Sequence, residues 1–252
     1  MQGATYPSLT NRTVLVTGGG SGIGEAIVRQ FVAQGSRVGF IDIDAKASNK
    51  LLESLPTQVG VHFEQADLRD IDALRRAVAG IREALGPITV LINNAARDDR
   101  HAIADVTPEF WDERIAVNLK HQFFAAQAVA PDMIQAGGGS IVNMGSLSWL
   151  IGQGNMPCYT TAKSAVQGLT RGLARDLGPN NVRVNSILPG WIMTQRQQEL
   201  WLTPEGETEL MQRQCLKRKL MPDDIARVVL FFAADDSGAC TNQSYIVDGG
   251  WV

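Results

Sequence analysis

Two side chains capable of acid–base chemistry stand four residues apart in the segment Tyr159-Thr-Thr-Ala-Lys163. On a helix this spacing places both on one face, so the Lys163 ammonium can lie beside the Tyr159 ring and favour its phenolate. An isolated tyrosine ionises near pH ~10, and a neighbouring cation lowers that pKa towards the pH at which proton transfer is efficient. Tyr159 is therefore the candidate general acid/base. Taken alone, the short pattern is more often an ordinary amphipathic pair.

A third polar group, Ser146, directly follows the apolar run 140–145, which predicts a buried strand. A hydroxyl at the C-terminal end of a strand lies where α/β sheets bind their ligands. Ser146, Tyr159 and Lys163 are therefore expected to converge on one crevice.

A glycine-rich segment, Thr17-Gly-Gly-Gly-Ser-Gly-Ile-Gly24, stands between an apolar run typical of a buried strand and an amphipathic run typical of a helix. Gly18 permits a tight turn, Gly22 lets the backbone approach a pyrophosphate, and Gly24 permits close packing of helix on strand. The helix N-terminus attracts phosphate charge. A flexible Gly/Ser loop would not explain both flanking patterns, so the segment predicts a dinucleotide site.

The second predicted strand ends in Asp42. A carboxylate there can accept hydrogen bonds from both adenosine ribose hydroxyls and would repel the 2′-phosphate of NADP, which favours NAD. Its neighbours Ser21 and Ile43 are uncharged and offer that phosphate no partner. Arg37 and Lys46 are near enough in the sequence to leave NADP open. Asp42 can also serve as a turn-forming residue, and the two roles are compatible.

In order and spacing, these motifs resemble the short-chain dehydrogenase/reductase family over essentially the whole chain. The Asn93-Asn94-Ala95 segment matches a family motif in which Ala96 replaces the usual glycine. The resemblance implies a catalytic tetrad of Asn118, Ser146, Tyr159 and Lys163. It implies a cofactor site formed by Gly18, Ser21, Gly22, Ile23, Gly24, Asp42, Asp67, Leu68, Asn94, Ala95, Tyr159, Lys163, Pro189, Gly190, Ile192 and Thr194.

The same resemblance implies a mechanism. Ser146 would hydrogen-bond the substrate oxygen, and the Tyr159 phenolate would take the hydroxyl proton while hydride passes to nicotinamide C4. Lys163 would lower the pKa of Tyr159 and bind the nicotinamide ribose. Asn118 would hold a water that carries the proton outward, and Thr194 would contact the carboxamide.

The implied fold is α/β: a single doubly wound, Rossmann-type domain over residues 1–252, with about seven parallel strands, helices on both faces and a substrate-binding loop at about 190–215. Hydrophobic patterns agree with this architecture. They predict strands at 12–17, 36–41, 60–64, 88–92, 140–145, 182–187 and 245–247, and helices at 25–34, 72–85 and 110–133. The glycines at 137–139 are interpreted as a helix-to-strand turn, so no domain boundary is expected.

Composition restricts the possible partners. A chain of 252 residues with 44% hydrophobic content can bury a full core, and a net charge of −3 leaves no electrostatic footprint for nucleic acid or an anionic membrane. Residues 1–10 lack the features of a secretion signal and no later run could span a bilayer, so we expect a cytoplasmic protein. Cys158, Cys215 and Cys240 show no paired metal spacing and are expected to be reduced thiols, with Cys158 a small apolar filler. No catalytic metal is expected.

Three segments that follow predicted strands, 97–101, 148–155 and 191–198, should line a substrate pocket. Their tryptophans could stack on a sugar ring and their amides could bind its hydroxyls, so a neutral polyol would suit them. The candidate substrate contacts are Ser146, Ser148, Trp149, Gln153, Asn155, Tyr159, Trp191 and Gln195. An alternative of about equal weight to sugar binding is that the aromatic side chains are core or subunit contacts and that the amide side chains face water.

A closer resemblance links the segments 98–101, 111–114, 146–149 and 201–206 to bacterial NAD-dependent aldose 1-dehydrogenases acting on pentoses. It implies oxidation of D-xylose or L-arabinose at the anomeric hydroxyl to an aldonolactone. One alternative is another alcohol or ketone substrate, such as another aldose, a polyol, a hydroxyacyl thioester or a steroid. A second is a catalytically silent NAD-binding regulatory protein, which would be expected to lack a tetrad member. Members of the family are commonly homotetramers, so the resemblance implies a homotetramer, with a dimer as the alternative.

Overall fold

Seven strands form one fully parallel sheet in the order β3-β2-β1-β4-β5-β6-β7. The computed structural model describes residues 3–56 and 60–252. The strands are β1 (Thr13–Thr17), β2 (Arg37–Asp42), β3 (Val61–Gln65), β4 (Val90–Asn93), β5 (Gly139–Met144), β6 (Val182–Pro189) and β7 (Ser244–Val247). Every predicted strand is present with ends shifted by two residues or fewer. The inner strands are buried on both faces and read as largely apolar runs, whereas the edge strands β3 and β7 are only partly buried.

Helices cover both faces of the sheet. They are α1 (Gly22–Ala33), α2 (Ala45–Ser54), α3 (Ile71–Leu85), α4 (Pro108–Ile115), α5 (His121–Gln135), α6 (Pro157–Leu177), α7 (Gln195–Leu200), α8 (Pro204–Arg213) and α9 (Pro222–Ala233). Val14 and Val16 of β1 pack on one side with α1, α2 and α9, whereas Leu15 packs on the other with α3, α5 and α6. The alternation of side chains along each strand therefore builds two apolar layers.

The sheet changes winding direction between β1 and β4. The chain runs outward from β1 to β2 and β3, then returns to place β4 on the free side of β1. The loops that leave β1 and β4 therefore diverge and open a crevice at the carboxyl ends of the strands, where doubly wound sheets bind ligands.

The turn after β1 depends on its glycines. Gly18 has φ of +65°, and a Cβ on Gly24 would lie 1.8 Å from the Gly18 carbonyl oxygen. The first turn of α1 can therefore lie directly against β1. Helix α1 begins at Gly22 rather than at the predicted residue 25, since the glycines that start it carry no apolar signal.

The helix predicted over 110–133 is interrupted. Helix α4 ends at Ile115, a π-helical turn spans Ala116–Lys120, and α5 continues from His121. A π turn holds one residue more per hydrogen-bonded ring than an α turn, and such turns are frequent at functional sites. It preserves the helix direction, so hydrophobic periodicity could not distinguish it.

Two further expectations concern chain segments. Gly137, with φ of +78°, ends α5 two residues before β5, as expected for a turn. The segment expected as a loop at 190–215 carries α7 and α8.

Within residues 3–56 and 60–252, no helix is both long and apolar enough to cross a bilayer. The prediction for residues 1–10 falls partly on Met1 and Gln2, which lie outside the described residues.

Candidate active site

A single cavity of about 1700 Å³ opens at the carboxyl ends of the strands. Its walls come from the glycine turn after β1, the loops after β4, β5 and β6, and the segment that carries α7 and α8. Pockets for one drug-sized ligand measure roughly 300–1,000 Å³, so this cavity has room for a dinucleotide and a second small molecule.

Asp42 lies on the wall beside the glycine turn. Its Oδ2 accepts the Gly20 N–H at 2.8 Å and its Oδ1 accepts the Asp44 N–H at 2.9 Å. These bonds hold the carboxylate in place and leave lone pairs free. Ser21, the residue before α1, makes no side-chain capping bond within the described chain, so the first N–H groups of α1 remain available for an anion.

Arg37 and Lys46, the two cations considered as possible partners for the 2′-phosphate of NADP, do not contact Asp42. Arg37 begins β2 and Asp42 ends it, which places them roughly 16 Å apart along an extended strand. Arg37 donates instead to the Asn11 carbonyl at the opposite edge of the sheet. Lys46 is not among the cavity-lining residues of the described chain. Arg29 does line the cavity, but it pairs with Glu25 at 2.8 Å.

The loop after β4 is fastened to the glycine turn. The Asn94 side-chain amide donates to the carbonyls of Thr17 and Gly18, both at 3.0 Å, and the Ala95 N–H donates to the Thr17 hydroxyl at 3.1 Å. These bonds hold the loop after β4 against the glycine turn, at the place where the sheet changes winding direction. Ile23, Asn94 and Ala95 therefore share one cavity wall with the glycines.

Asp67 and Leu68 also line the cavity, and Leu68 is buried. The Asp67 carboxylate is engaged by the Arg69 guanidinium at 2.6 Å, and this hydrogen-bonded pair lowers the pKa of Asp67. Arg69 reaches Glu113 on α4 as well, at 2.8 Å. Asp67 is thus positioned by an ion-pair network beside the cavity.

The segment after β6 supplies the far wall, where Pro189, Gly190, Ile192 and Thr194 lie. The Gly190 N–H donates to the Val247 carbonyl, and Ile192 forms an isolated bridge with Leu220. The Thr194 hydroxyl caps α7 by accepting the Gln197 N–H at 3.2 Å.

Ser146, Tyr159 and Lys163 share one end of this cavity. The Ser146 hydroxyl donates to the Ser148 hydroxyl at 2.9 Å. Lys163 is buried, its Nζ donates to the Met144 carbonyl at 2.8 Å, and it lies 5.7 Å from the centroid of the Tyr159 ring. Helix α6 thus sets tyrosine and lysine on one face, and β5 brings the serine to them.

The ionisation of this pair differs from the simple expectation. Burial raises the pKa of Tyr159 to about 12, with the Asp98 charge adding to the rise, while the Ser146 hydroxyl and Arg100 act in the opposite direction. Burial lowers the pKa of Lys163 to about 7, partly offset by Asp98. The expected lowering of the Tyr159 pKa by Lys163 is therefore not found, because desolvation disfavours the charged form of both groups.

Asn118 lies in the π turn and is completely buried, with its side chain engaged by the backbone. Its Oδ1 accepts the Arg97 N–H at 2.8 Å, and its Nδ2 donates to the carbonyls of Arg97 and Arg114. In the described chain Asn118 is not on the cavity wall. The side chain thus anchors the loop after β4, and a water held by Asn118 would need its backbone carbonyl, which the Gln122 amide approaches at 3.4 Å.

The candidate substrate residues are only partly brought together. Ser148, Gln153, Asn155, Trp191 and Gln195 line the cavity together with Ser146 and Tyr159. The Trp191 indole donates to Gln197 at 3.0 Å, and the Gln195 amide donates to Glu199 at 2.7 Å. Trp149 is not among the cavity-lining residues of the described chain, so its expected stacking role is corrected.

Asp98, Arg100 and Trp201 are among the lining residues to which the sequence analysis assigned no individual role. The Arg100 guanidinium lies 5.2 Å from the Trp201 ring and its Nη1 is 2.8 Å from the Met156 sulfur. The available signal was position, since Asp98 and Arg100 lie in a polar segment that follows a predicted strand.

Within residues 3–56 and 60–252, no group of three or more His, Cys, Asp or Glu side chains could hold a metal ion.

Comparisons with known proteins place the chain in a family. The model described as "Enoyl-(Acyl carrier protein) reductase" matches residues 18–252. A protein of Rhizobium meliloti (strain 1021) named "Probable galactose dehydrogenase GalD" is 53% identical over 247 residues, which are 97% of this chain and 96% of that protein. The D-xylose 1-dehydrogenase of Caulobacter vibrioides (strain NA1000 / CB15N) is 45% identical over 252 residues, 100% of each.

Solved structures agree on the fold. A 7α-hydroxysteroid dehydrogenase in complex with NADH and a 7-oxo bile acid superimposes with a TM-score of 0.93 at 29% identity, covering 99% of this chain and 98% of that one. A short-chain type dehydrogenase/reductase from Mycobacterium ulcerans has a TM-score of 0.91 at 28% identity, covering 98% and 91%. The chain belongs to the short-chain dehydrogenase/reductase family, and it is an oxidoreductase of CH–OH groups that uses a nicotinamide cofactor.

Proposed function

We propose that this protein oxidises the anomeric hydroxyl of an aldose with NAD, giving the aldonolactone, and that its substrate is the aldopentose D-xylose or L-arabinose. The observation that carries the proposal is one cavity in which the Ser146 and Tyr159 hydroxyls lie near a wall of amides and indoles. Amide donors and acceptors suit sugar hydroxyls, and indole faces suit the apolar face of the ring. The printed names of two relatives, a galactose and a D-xylose dehydrogenase, agree with a sugar substrate.

In this proposal Ser146 hydrogen-bonds the anomeric oxygen and Tyr159 takes its proton. A bound oxidised nicotinamide supplies the hydride acceptor and a positively charged ring. Since burial raises the pKa of Tyr159 to about 12, the phenolate requires added positive charge nearby. Lys163 has two further ammonium protons besides the one given to the Met144 carbonyl, and these are available to a ribose hydroxyl and to the proton path past Asn118.

The remaining cofactor assignments follow from the cavity walls. The N-terminus of α1 receives the pyrophosphate, Asp42 accepts the adenosine ribose hydroxyls, and Asp67 with Leu68 flanks the adenine. Asp42 favours NAD over NADP, because Arg29, a cation on the same wall, already pairs with Glu25. The segment from Pro189 to Thr194 covers the nicotinamide end.

The domain and assembly proposals complete this function. Residues 1–252 act as one catalytic domain in which the segment 190–215, with α7 and α8, binds substrate. A cytoplasmic homotetramer is proposed. Apolar side chains exposed on the outer strand β7 and at the chain end support an assembly through this edge, namely Tyr245, Ile246 and Val252.

The test is a set of initial rates of NADH formation with D-xylose, L-arabinose, D-galactose, L-fucose and L-rhamnose, each with NAD and with NADP. The proposal expects NAD-dependent turnover with a preference for one pentose. A preference for D-galactose would keep the reaction and replace the pentose. Absence of turnover on every aldose would overturn the sugar substrate, and secondary alcohols and ketones would be assayed next.

A further inference from the structure

Asp98 and Asp99 are adjacent carboxylates in the loop after β4, but their surroundings differ. Asp99 is engaged by three guanidiniums: Arg97 and Arg114 at 2.7 Å and Arg196 at 2.6 Å. Because both of its oxygens meet guanidinium groups, Asp99 fastens the loop to its neighbours. The environment of Asp98 is less complete, and it lies nearer the reacting groups.

Asp98 makes one short hydrogen bond. Its Oδ2 accepts from the Gln197 side-chain amide at 2.7 Å, and Gln197 in turn accepts from the Trp191 indole at 3.0 Å. Its Oδ1 has only a long contact to Arg196, at 3.5 Å. A carboxylate offers about four lone-pair positions, so Oδ1 retains the capacity to accept a strong hydrogen bond.

The position of Asp98 relative to Tyr159 is fixed by the loop's attachment to the start of α6. The His101 N–H donates to the Asn155 carbonyl at 2.8 Å, and the Cys158 N–H donates to His101 Nε2 at 3.3 Å. The His101 Nδ1–H therefore donates to the Asp99 carbonyl, at 2.9 Å. The loop that carries Asp98 is thereby attached to α6 at Cys158, the residue before Tyr159.

Asp98 also faces the reaction centre electrostatically. Its negative charge raises the pKa of Tyr159, in the same direction as burial, and it raises the pKa of Lys163, against the effect of burial. Its side chain is 19% exposed and lines the same cavity. Asp98 therefore lines the cavity that holds Tyr159, and its charge acts on the group that would take the substrate proton by raising the pKa of Tyr159.

We propose that Asp98 is a specificity-determining residue that accepts a hydrogen bond from the C2 hydroxyl of the aldose, the hydroxyl next to the reacting anomeric carbon. This inference rests on the proposed aldose oxidation. The Trp191–Gln197 chain holds Oδ2, so that Oδ1 faces the sugar. A substrate without a hydroxyl at that position leaves a partly buried acceptor without this hydrogen bond and is discriminated against.

The test is a cycle that removes the carboxylate and the hydroxyl separately. kcat/KM is measured with NAD for the preferred aldose and its 2-deoxy counterpart: D-xylose with 2-deoxy-D-xylose, L-arabinose with 2-deoxy-L-ribose, or D-galactose with 2-deoxy-D-galactose. In the unmodified protein, loss of the hydroxyl lowers kcat/KM by roughly 10-fold or more, the effect of a hydrogen bond to a charged group. In Asp98→Ala, removal of the C2 hydroxyl lowers kcat/KM by less than about threefold, since the hydroxyl has no carboxylate partner in that variant.

Two further variants complete the design. Asp112→Asn removes an exposed carboxylate from α4 and keeps the full 2-deoxy penalty. Asp98→Asn, which retains the size of the side chain, reduces the penalty and serves in place of the alanine variant if melting curves show that Asp98→Ala is unfolded. An unchanged penalty in the folded Asp98 variants overturns the inference and leaves Asp98 as a fastener of α7. If the unmodified protein turns over no aldose, the proposed function fails, and this inference fails with it.

Discussion

The ammonium nitrogen of Lys163 lies 5.7 Å from the centroid of the Tyr159 ring, and its hydrogen bond goes to the Met144 carbonyl rather than to the tyrosine. Burial acts on both groups, raising the pKa of Tyr159 to about 12 and lowering that of Lys163 to about 7. Near neutral pH the pair therefore carries less charge than a phenolate beside an ammonium. Added positive charge near Tyr159 would favour its phenolate.

Removing the phenolic hydroxyl tests the role of Tyr159. Tyr159→Phe keeps the ring, and we expect kcat to fall by about 10²–10⁴-fold, the usual contribution of a general acid/base. NADH binding, followed by fluorescence titration, should be nearly unchanged. Tyr245→Phe, which alters an exposed tyrosine on β7, is the matched control and should keep its activity. Near-normal turnover in Tyr159→Phe would refute the assignment.

The burial of Lys163 should appear in the pH dependence of stability. Between its folded pKa of about 7 and its ordinary value of 10.5, the unfolded chain binds a proton that the native chain does not. The free energy of unfolding should therefore rise with pH in this window, by roughly 2 kcal/mol from pH 7 to pH 9. Lys163→Met removes this term, so urea denaturation should show the wild type gaining stability relative to the variant as pH rises.

An exposed lysine provides the control for that measurement. Lys50→Met on α2 should leave the pH dependence of the wild type intact, because Lys50 is exposed to solvent. If wild type and Lys163→Met respond equally to pH, the lysine is not held at a lowered pKa in the native state.

Close packing at the glycine turn predicts a large effect from one methyl group. In Gly24→Ala the new Cβ would meet the Gly18 carbonyl oxygen at 1.8 Å, so the turn and the start of α1 must move. We expect a loss of at least ~2 kcal/mol in stability together with weaker NADH binding. Gly172→Ala, inside α6, adds a Cβ with no atom within 4 Å apart from its chain neighbours and the backbone of its own helix. It should leave NADH binding unchanged and raise stability slightly, because alanine favours a helix over glycine. Normal NADH affinity in Gly24→Ala would argue against a packed cofactor turn.

The elements predicted from the sequence are those with a local cause. Inner strands such as β1 are apolar runs because both of their faces are buried, and the turn at Gly18 to Gly24 is encoded in adjacent residues. The grouping of Ser146 with Tyr159 and Lys163 followed from two such local features. The π turn at Ala116–Lys120 was missed because it interrupts the helical pattern without breaking it.

What the sequence could not supply depends on contacts between distant segments. The path of the chain after β5 and β6 decides that Trp191 and Trp201 line the cavity and that Trp149 does not. The loop after β4, which carries Asp98, reaches the start of α6 through the contact of His101 with Cys158. The pKa values of Tyr159 and Lys163 are set mainly by burial, which their four-residue spacing does not report.

Cofactor choice should depend on the charge of Asp42. Asp42→Asn retains an oxygen that can accept the Gly20 N–H but removes the negative charge that repels a 2′-phosphate. We expect the ratio of kcat/KM for NAD to that for NADP to fall by roughly 10-fold or more, with loss on the NAD side and gain on the NADP side. Asp44→Asn is the matched control. It neutralises a carboxylate two residues away that caps α2 by accepting the Ala47 N–H, and asparagine caps helices equally well. An unchanged ratio in Asp42→Asn would show that the Asp42 carboxylate does not select the cofactor. An equal change in both variants would show that the overall charge at the end of β2, rather than Asp42 itself, makes the selection.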